Sequence, residues 1–106
     1  MKRIETIKDQ KLFNNIIKKG KFKKDTYFVI YYIKKEEVQN NYGIAISKKV
    51  GNAVTRNKLK RQTRAIIDNH RNLFKNGHNY IIMIRKGSVG ADYQLLERAL
   101  VELLEK

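Results

Sequence analysis

Apolar residues recur at helical spacing in two segments, near the start of the chain and at its end. In residues 9–19, DQKLFNNIIKK, they are Leu12, Phe13, Ile16 and Ile17, with Asp9 suited to begin a helix and Gly20 to end it. Residues 91–106, ADYQLLERALVELLEK, carry leucines at positions 95, 96, 100, 103 and 104. Both segments are therefore predicted to be amphipathic helices.

Three other segments have the composition of strands. Residues 26–33, TYFVIYYI, are β-branched or aromatic at nearly every position, and YGIAIS begins at Tyr42 after a polar turn. The third is NYIIMI at 79–84. The economical prediction is an antiparallel hairpin of the first two strands. Period-two alternation makes both faces of 26–33 apolar, so the sequence alone does not say which face is open.

A long helix is predicted over about 53–70, because Gly51 breaks the preceding strand and Asn52 is a good N-cap. Leu59, Thr63, Ile66 and His70 share one side of it and are expected to pack on the sheet. The order α-β-β-α-β-α, with room for an extra short strand before Tyr27, predicts an α+β two-layer sandwich. Its small mixed sheet would lie in a single domain over residues 1–106.

Composition adds a strong charge to this picture. The chain has 24 basic and 10 acidic residues, a formal charge of +14, while 42% of its residues are apolar and it has no cysteine. Such a charge in a folded domain indicates a polyanionic partner, most often nucleic acid. No apolar run approaches the ~20 residues of a membrane-spanning helix, and the first residues lack a signal-peptide core, so a cytoplasmic protein without a membrane partner is expected.

The charge is concentrated in residues 47–67, SKKVGNAVTRNKLKRQTRAII, which contain seven basic residues and no acid. At 100° per residue, five polar side chains share an arc of about 140° on the predicted helix, opposite its packing side. They are Arg56, Asn57, Lys60, Arg61 and Arg64. A solvated surface is the ordinary explanation of a basic helix face, but the absence of any relieving acid favours a phosphate-binding surface.

The segment SKKVGNAVTRNKLKRQTR closely resembles the RNR motif of the bacterial ribonuclease P protein component. Phe13 before Gly20, the strand FVIYY, the lead-in YGIAISKK and the late strand YIIMIRK stand in that family's order. The resemblance implies a ribosomal-protein-like fold whose βαβ crossover is left-handed, against the general right-handed rule. It also implies a monomeric protein partner of a catalytic RNA that removes the 5′ leader from precursor tRNA.

The resemblance assigns two sets of site residues. The RNA-binding set comprises Lys48, Lys49, Asn52, Arg56, Asn57, Lys60, Arg61 and Arg64. The cleft for the single-stranded leader comprises Phe13, Ile17 and Tyr31, where Ile17 departs from the aromatic residue of some relatives. The protein itself is expected to bind no cofactor or metal and to hold no catalytic residue, since the ribonucleoprotein uses magnesium at its RNA.

Several alternatives remain at this stage. A ribosomal-type RNA-binding protein without a processing role has the same charge. GSVG at 87–90 matches the G-x-x-G of a KH loop, although it follows a strand, and a helix-turn-helix protein would need helices flanking the basic helix. A self-sufficient nuclease would need an acid, base and metal set, whereas His70 is expected to pack structurally and His78 has no ligand set around it.

Overall fold

The structure, a computed structural model, describes residues 5–106 as a four-stranded sheet with helices against both of its faces. The elements in chain order are α1 (Gln10–Lys19), β1 (Lys21–Lys24), β2 (Phe28–Lys34), β3 (Asn41–Ile46), α2 (Ala53–Asn69), β4 (His78–Ile84) and α3 (Tyr93–Glu105). The predicted α+β class with a small mixed sheet is confirmed, and β1 is the extra strand before Tyr27.

The helix ends follow from local hydrogen bonds. The side chain of Asp9 accepts from the backbone N–H of Lys11, and Asn52 Oδ1 accepts from the N–H of Thr55 at 2.9 Å. At Gly20 a β-carbon would lie 2.5 Å from the carbonyl oxygen of Ile16 and 2.8 Å from that of Tyr32. Glycine therefore ends α1 by allowing a close approach to β2, and the predicted limits of α1 and α2 are confirmed.

The strand order is β1-β2-β4-β3, so the predicted hairpin of β2 and β3 is wrong. β4 lies between these two strands, antiparallel to β2 and parallel to β3. The hairpin instead joins β1 to β2, with Phe22 opposite Tyr31. β4 has the nearly continuous apolar run that suits a strand covered on both faces, which explains its central place. The left-handed crossover through α2 stays a prediction.

Each face of the sheet has its own apolar cluster. The larger one joins β2 and β4 to α2 and α3, and Phe28, Ile82 and Leu100 in it are fully buried. The smaller one lies under α1, where Ile16 and Ile81 are fully buried. Since only α1 and Ile7 before it contribute to this cluster from outside the sheet, and Phe13, Ile17 and Tyr31 around it are only partly buried, part of that face stays open.

Residues 5–7, in the described part of the segment just before α1, run along the outer edge of β3. The backbone N–H of Ile7 donates to the carbonyl of Tyr42 at 2.8 Å, and Arg71 forms an ion pair with Glu5. This hydrogen bond to Glu5 raises the pKa of Arg71 above its usual value. The segment thereby covers part of an exposed strand edge. Among residues 5–106, no helix combines the length and the apolar character needed to cross a membrane.

Candidate RNA interface

Helix α2 separates packing from charge. Leu59, Thr63 and Ile66 are buried on its inner side, and the Thr63 hydroxyl donates to the carbonyl of Leu59 at 2.8 Å, so no polar group is left unpaired there. The predicted packing face is confirmed at these three positions, and Ile67 joins it. This inner side fixes the rotation of the helix, so the cationic side must point outward.

The outward side of α2 carries the five predicted polar residues. Asn57, Arg61 and Arg64 are exposed, whereas Arg56 and Lys60 are half-buried. Arg56 Nε donates to the carbonyl of Gly51 at 3.1 Å, which draws this side chain back over the start of the helix. Within the described range, no carboxylate lies within 4.0 Å of any of these cations. We call this surface the α2 face; its positive charge is uncompensated inside the protein.

The entrance to α2 supplies two further cations. Lys48 and Lys49 are exposed in a single 3-10 turn, Lys48–Val50, which begins with a hydrogen bond from the N–H of Lys49 to Ser47 Oγ. Asn52 is exposed, but its side-chain oxygen is engaged as the N-cap of α2. Asn52 therefore has a structural role in addition to any contact with RNA.

The three residues predicted for the leader cleft come together on the other face of the sheet. Phe13 and Ile17 from α1 and Tyr31 from β2 pack around the small cluster of Ile16 and Ile81, and all three remain partly exposed. The Phe13 ring lies over Gly43, with Cε2 only 3.1 Å from where a β-carbon of Gly43 would be. We call this surface the α1 cleft.

An open groove of about 520 Å³ lies between the ends of β3 and β4 and the turn that leads into α2. Ala45 lines this groove and also packs against the apolar cluster of the α1 cleft, and Met83 lies beside Ala45 in the β3–β4 register. Lys49, Arg85 and Lys86 line the same groove. Sequence reasoning missed the groove residues of β4 and its end, although the Arg-Lys pair directly after an apolar strand was a usable signal.

The cations of the groove meet because β3 and β4 are parallel. Parallel strands end at the same edge of a sheet, so the segment after Ile46 and the segment after Ile84 leave side by side. Lys49 therefore lines a groove that neighbours the α1 cleft, and it stands at the entrance of α2.

The two histidines take part in local contacts. His70 Nε2 lies 3.0 Å from Glu97 Oε2, which ties the end of α2 to α3, and His78 Nδ1 lies 2.9 Å from the carbonyl oxygen of Asn76. Histidine, aspartate and glutamate side chains in residues 5–106 form no group of three or more that could hold a metal ion.

The G-x-x-G segment is a packed connection between β4 and α3. A β-carbon at Gly87 would lie 2.4 Å from the carbonyl oxygen of Thr26, and the Ser88 hydroxyl donates to the carbonyl of Tyr27 at 2.8 Å. The segment joins a strand to a helix, unlike a KH loop. Strands flank α2 in the chain, which also disfavours a helix-turn-helix protein.

Comparison with known proteins gives one family throughout. The family model described as Ribonuclease P matches residues 1–106. The ribonuclease P protein component of Streptococcus agalactiae serotype Ia is 37% identical over 105 residues, covering 99% of this chain and 95% of the relative. That of Bacillus cereus is 34% identical over 107 residues, covering 100% and 93% of the two chains.

Solved structures agree with this similarity. The RNase P protein of Staphylococcus aureus, at 30% identity, superposes with a TM-score of 0.88 over 95% of this chain and 93% of that one. The protein from Thermotoga maritima, at 28% identity, gives a TM-score of 0.86 over 95% and 96%. The fold described above is thus the fold of RNase P proteins.

The two asparagines of the basic segment are predicted to differ in effect. Asn52→Ala removes the N-cap of α2 and should lower the free energy of unfolding by ~0.5–2 kcal/mol. Asn57→Ala changes an exposed side chain and should stay within ~0.5 kcal/mol of the wild type. Urea unfolding followed by circular dichroism measures both. Equal stability of the two variants would contradict the capping role.

Proposed function

Because the chain belongs to the ribonuclease P protein family, we propose that its two surfaces bind two different RNAs of that enzyme. The chain is a protein subunit of ribonuclease P, an endoribonuclease of tRNA processing, and it associates with the ribonuclease P RNA. In the proposal, the α2 face and its entrance bind this RNA, and the α1 cleft binds the 5′ leader of precursor tRNA. The observation that carries it is the placement of uncompensated cations and partly open aromatic rings on separate surfaces.

The chemistry of the α2 face supports contacts to phosphate. Its cations stand on a helix that is fixed by the packing of its inner side, and in the described residues no carboxylate pairs with them. Binding a phosphate backbone releases counterions from the RNA and relieves the like-charge pairs of Arg56 with Lys60 and of Lys60 with Arg64. Such contacts position the protein on the RNA without reading its sequence.

The chemistry of the α1 cleft supports the binding of single-stranded RNA. Unpaired bases stack on aromatic side chains while nearby cations follow the backbone. Phe13 and Tyr31 offer partly exposed rings, and the adjoining groove offers Lys49, Arg85 and Lys86. A leader in this cleft would reach the entrance of α2, where precursor tRNA and the ribonuclease P RNA would meet.

The remaining parts of the proposal concern catalysis and assembly. We assign the cleavage chemistry and its magnesium ions to the RNA, because the surfaces of this chain offer cations and aromatic rings to RNA. A charge of +14 opposes self-association, which favours a protein that joins the RNA as a monomer. The cytoplasm, where tRNA is processed in bacteria, is its proposed location. The family match over the whole chain disfavours the ribosomal-type alternative.

Removing one cation from the α2 face should weaken binding of the ribonuclease P RNA. We expect log K for this complex to fall linearly with the logarithm of salt concentration, and Arg61→Ala to reduce the slope by a little under one unit for the lost phosphate contact. Filter binding at several salt concentrations measures this. Arg98→Ala, which removes an exposed cation from α3, is the matched control. If both variants reduced the slope equally, binding of the RNA would depend only on the net charge of the protein and not on the α2 face.

Removing the Tyr31 ring should weaken the binding of precursor tRNA but not that of mature tRNA. Tyr31→Ala should cost ~1–3 kcal/mol of precursor binding by the holoenzyme, the scale of one base stacked on an aromatic ring. Mature tRNA has no leader, so its affinity should hardly change, and assembly with the ribonuclease P RNA should stay intact. Equilibrium binding of both tRNAs gives the ratio. A folded Tyr31→Ala protein with the wild-type ratio would rule out this tyrosine as a leader contact.

The protein alone should cleave no RNA. With its RNA present, added protein should lower the magnesium concentration needed for cleavage, since protein cations replace part of the screening that metal ions provide. Cleavage of a labelled precursor, by protein rigorously freed of RNA and by the reconstituted enzyme, tests both statements. Robust cleavage by the RNA-free protein would overturn the assignment of catalysis to RNA.

A further inference from the structure

The edge strand β1 presents an exposed aromatic side chain that the sites above do not use. Phe22 is 57% exposed, and it is the aromatic residue among the large hydrophobic side chains that are exposed in residues 5–106. Its burial contributes little to the core, and an apolar ring on a sheet edge risks association with other strands. The position of Phe22 therefore calls for a functional explanation.

The register places Phe22 beside the α1 cleft. Phe22 is directly opposite Tyr31 in the β1–β2 pair, so both side chains point to the same face of the sheet. Their ring centroids are 6.0 Å apart and the planes are inclined by 44°. Tyr31 thus has the apolar cluster of Ile16 and Ile81 on one side and Phe22 on the other. Phe22 extends the aromatic surface of the cleft to the edge of the sheet.

The charges around Phe22 suit a polyanion. Lys21 and Lys24 are exposed in the same strand, and in the described part of the chain no carboxylate lies within 4.0 Å of either. Lys23 is engaged elsewhere, because its amine donates to the carbonyl of Lys106 at 2.6 Å, at the end of α3. The lysines also oppose edge-to-edge pairing with a second copy of this chain. A partner with an aromatic ring system and a negative backbone fits both features.

We propose that Phe22 is a stacking platform for a base of the precursor tRNA leader, next to the base held at Tyr31. The proposal rests on the assignment of the α1 cleft to the leader. Ile17, in the same cluster as Tyr31, provides an aliphatic side chain and no aromatic ring. Phe22 supplies an aromatic ring from β1 on the opposite side of Tyr31, so Tyr31 has a second ring beside it.

The test compares three substitutions of one exposed residue. Phe22→Ala removes the ring, Phe22→Leu keeps an apolar side chain without a π face, and Phe22→Trp keeps stacking. The holoenzyme is titrated with precursor tRNA whose leader is shortened stepwise from its 5′ end, and with mature tRNA. We expect Phe22→Ala and Phe22→Leu to lower the affinity of the holoenzyme for the long-leader precursor roughly fivefold or more. Phe22→Trp should bind this precursor with wild-type affinity.

The selectivity of the loss identifies the occupant. Mature tRNA, precursors whose leader is too short to reach β1, and the ribonuclease P RNA should bind all three variants as they bind the wild type. Val38→Ala, at a 76% exposed position in the β2–β3 connection, is the matched control and should change nothing. Because Phe22 is an exposed edge residue, the variants should fold, and circular dichroism with urea unfolding checks this.

Two outcomes separate this inference from the proposal on which it rests. If Tyr31→Ala weakens binding of the precursor but Phe22→Ala does not at any leader length, the inference fails, while the assignment of the leader to the α1 cleft is upheld. If neither variant has an effect, the assignment of the leader to the α1 cleft fails as well. If Phe22→Leu binds the long-leader precursor with wild-type affinity, apolar contact suffices and no stacking is needed. If Phe22→Ala loses as much affinity for mature tRNA as for the precursor, the ring does not contact the leader. Either result would overturn the stacking role.

Discussion

Burial of β4 on both of its faces is the constraint on which the other parts of the structure depend. Ile81 and Ile82 are adjacent in sequence, point to opposite faces and are both fully buried. Ile82 belongs to the cluster under α2 and α3, and Ile81 belongs to the cluster under α1. Because both helical layers pack on this one strand, it must lie in the middle of the sheet, and the placement of the α2 face and the α1 cleft follows.

The basic helix is compatible with folding because its charge and its packing use different sides. Each like-charge pair four residues apart costs an isolated helix ~0.2–0.5 kcal/mol. Burial of Leu59, Ile66 and Ile67 on the inner side stabilises the fold by ~1.5–3 kcal/mol for each side chain, which exceeds this cost. The protein therefore presents its cations on a rigid element before any RNA is bound, so little ordering is needed on binding.

The aromatic surface beside the α1 cleft is assembled from two strands. Ile17 on α1 is aliphatic, whereas Tyr31 stands on β2 and Phe22 on β1. The two positions are not neighbours in sequence, and only the pairing of β1 with β2 brings Phe22 beside Tyr31.

The sequence by itself determined the local features of this protein. The spacing of apolar residues and the caps at Asp9 and Asn52 specified the helices. The polar arc from Arg56 to Arg64, which contains no acid, specified which side of α2 is cationic. Both features depend only on residues a few positions apart. The family pattern also brought Phe13, Ile17 and Tyr31 together correctly. These three are candidates for function because they are partly open, and their exposure depends on how far α1 extends over the sheet.

Only the tertiary structure decided the strand order, the open face and the groove between the two surfaces. The expected hairpin of β2 and β3 was wrong because β4, which lies far along the chain, is inserted between them. In this central position β4 is buried on both of its faces. That insertion makes β3 and β4 parallel neighbours, and so brings Lys49 and Lys86 to one groove. Pairing between distant strands is set by which faces can be buried together. The apolar run of β4 suits a central strand, but residues 26–33 are apolar on both faces as well, so the pattern alone did not decide the order.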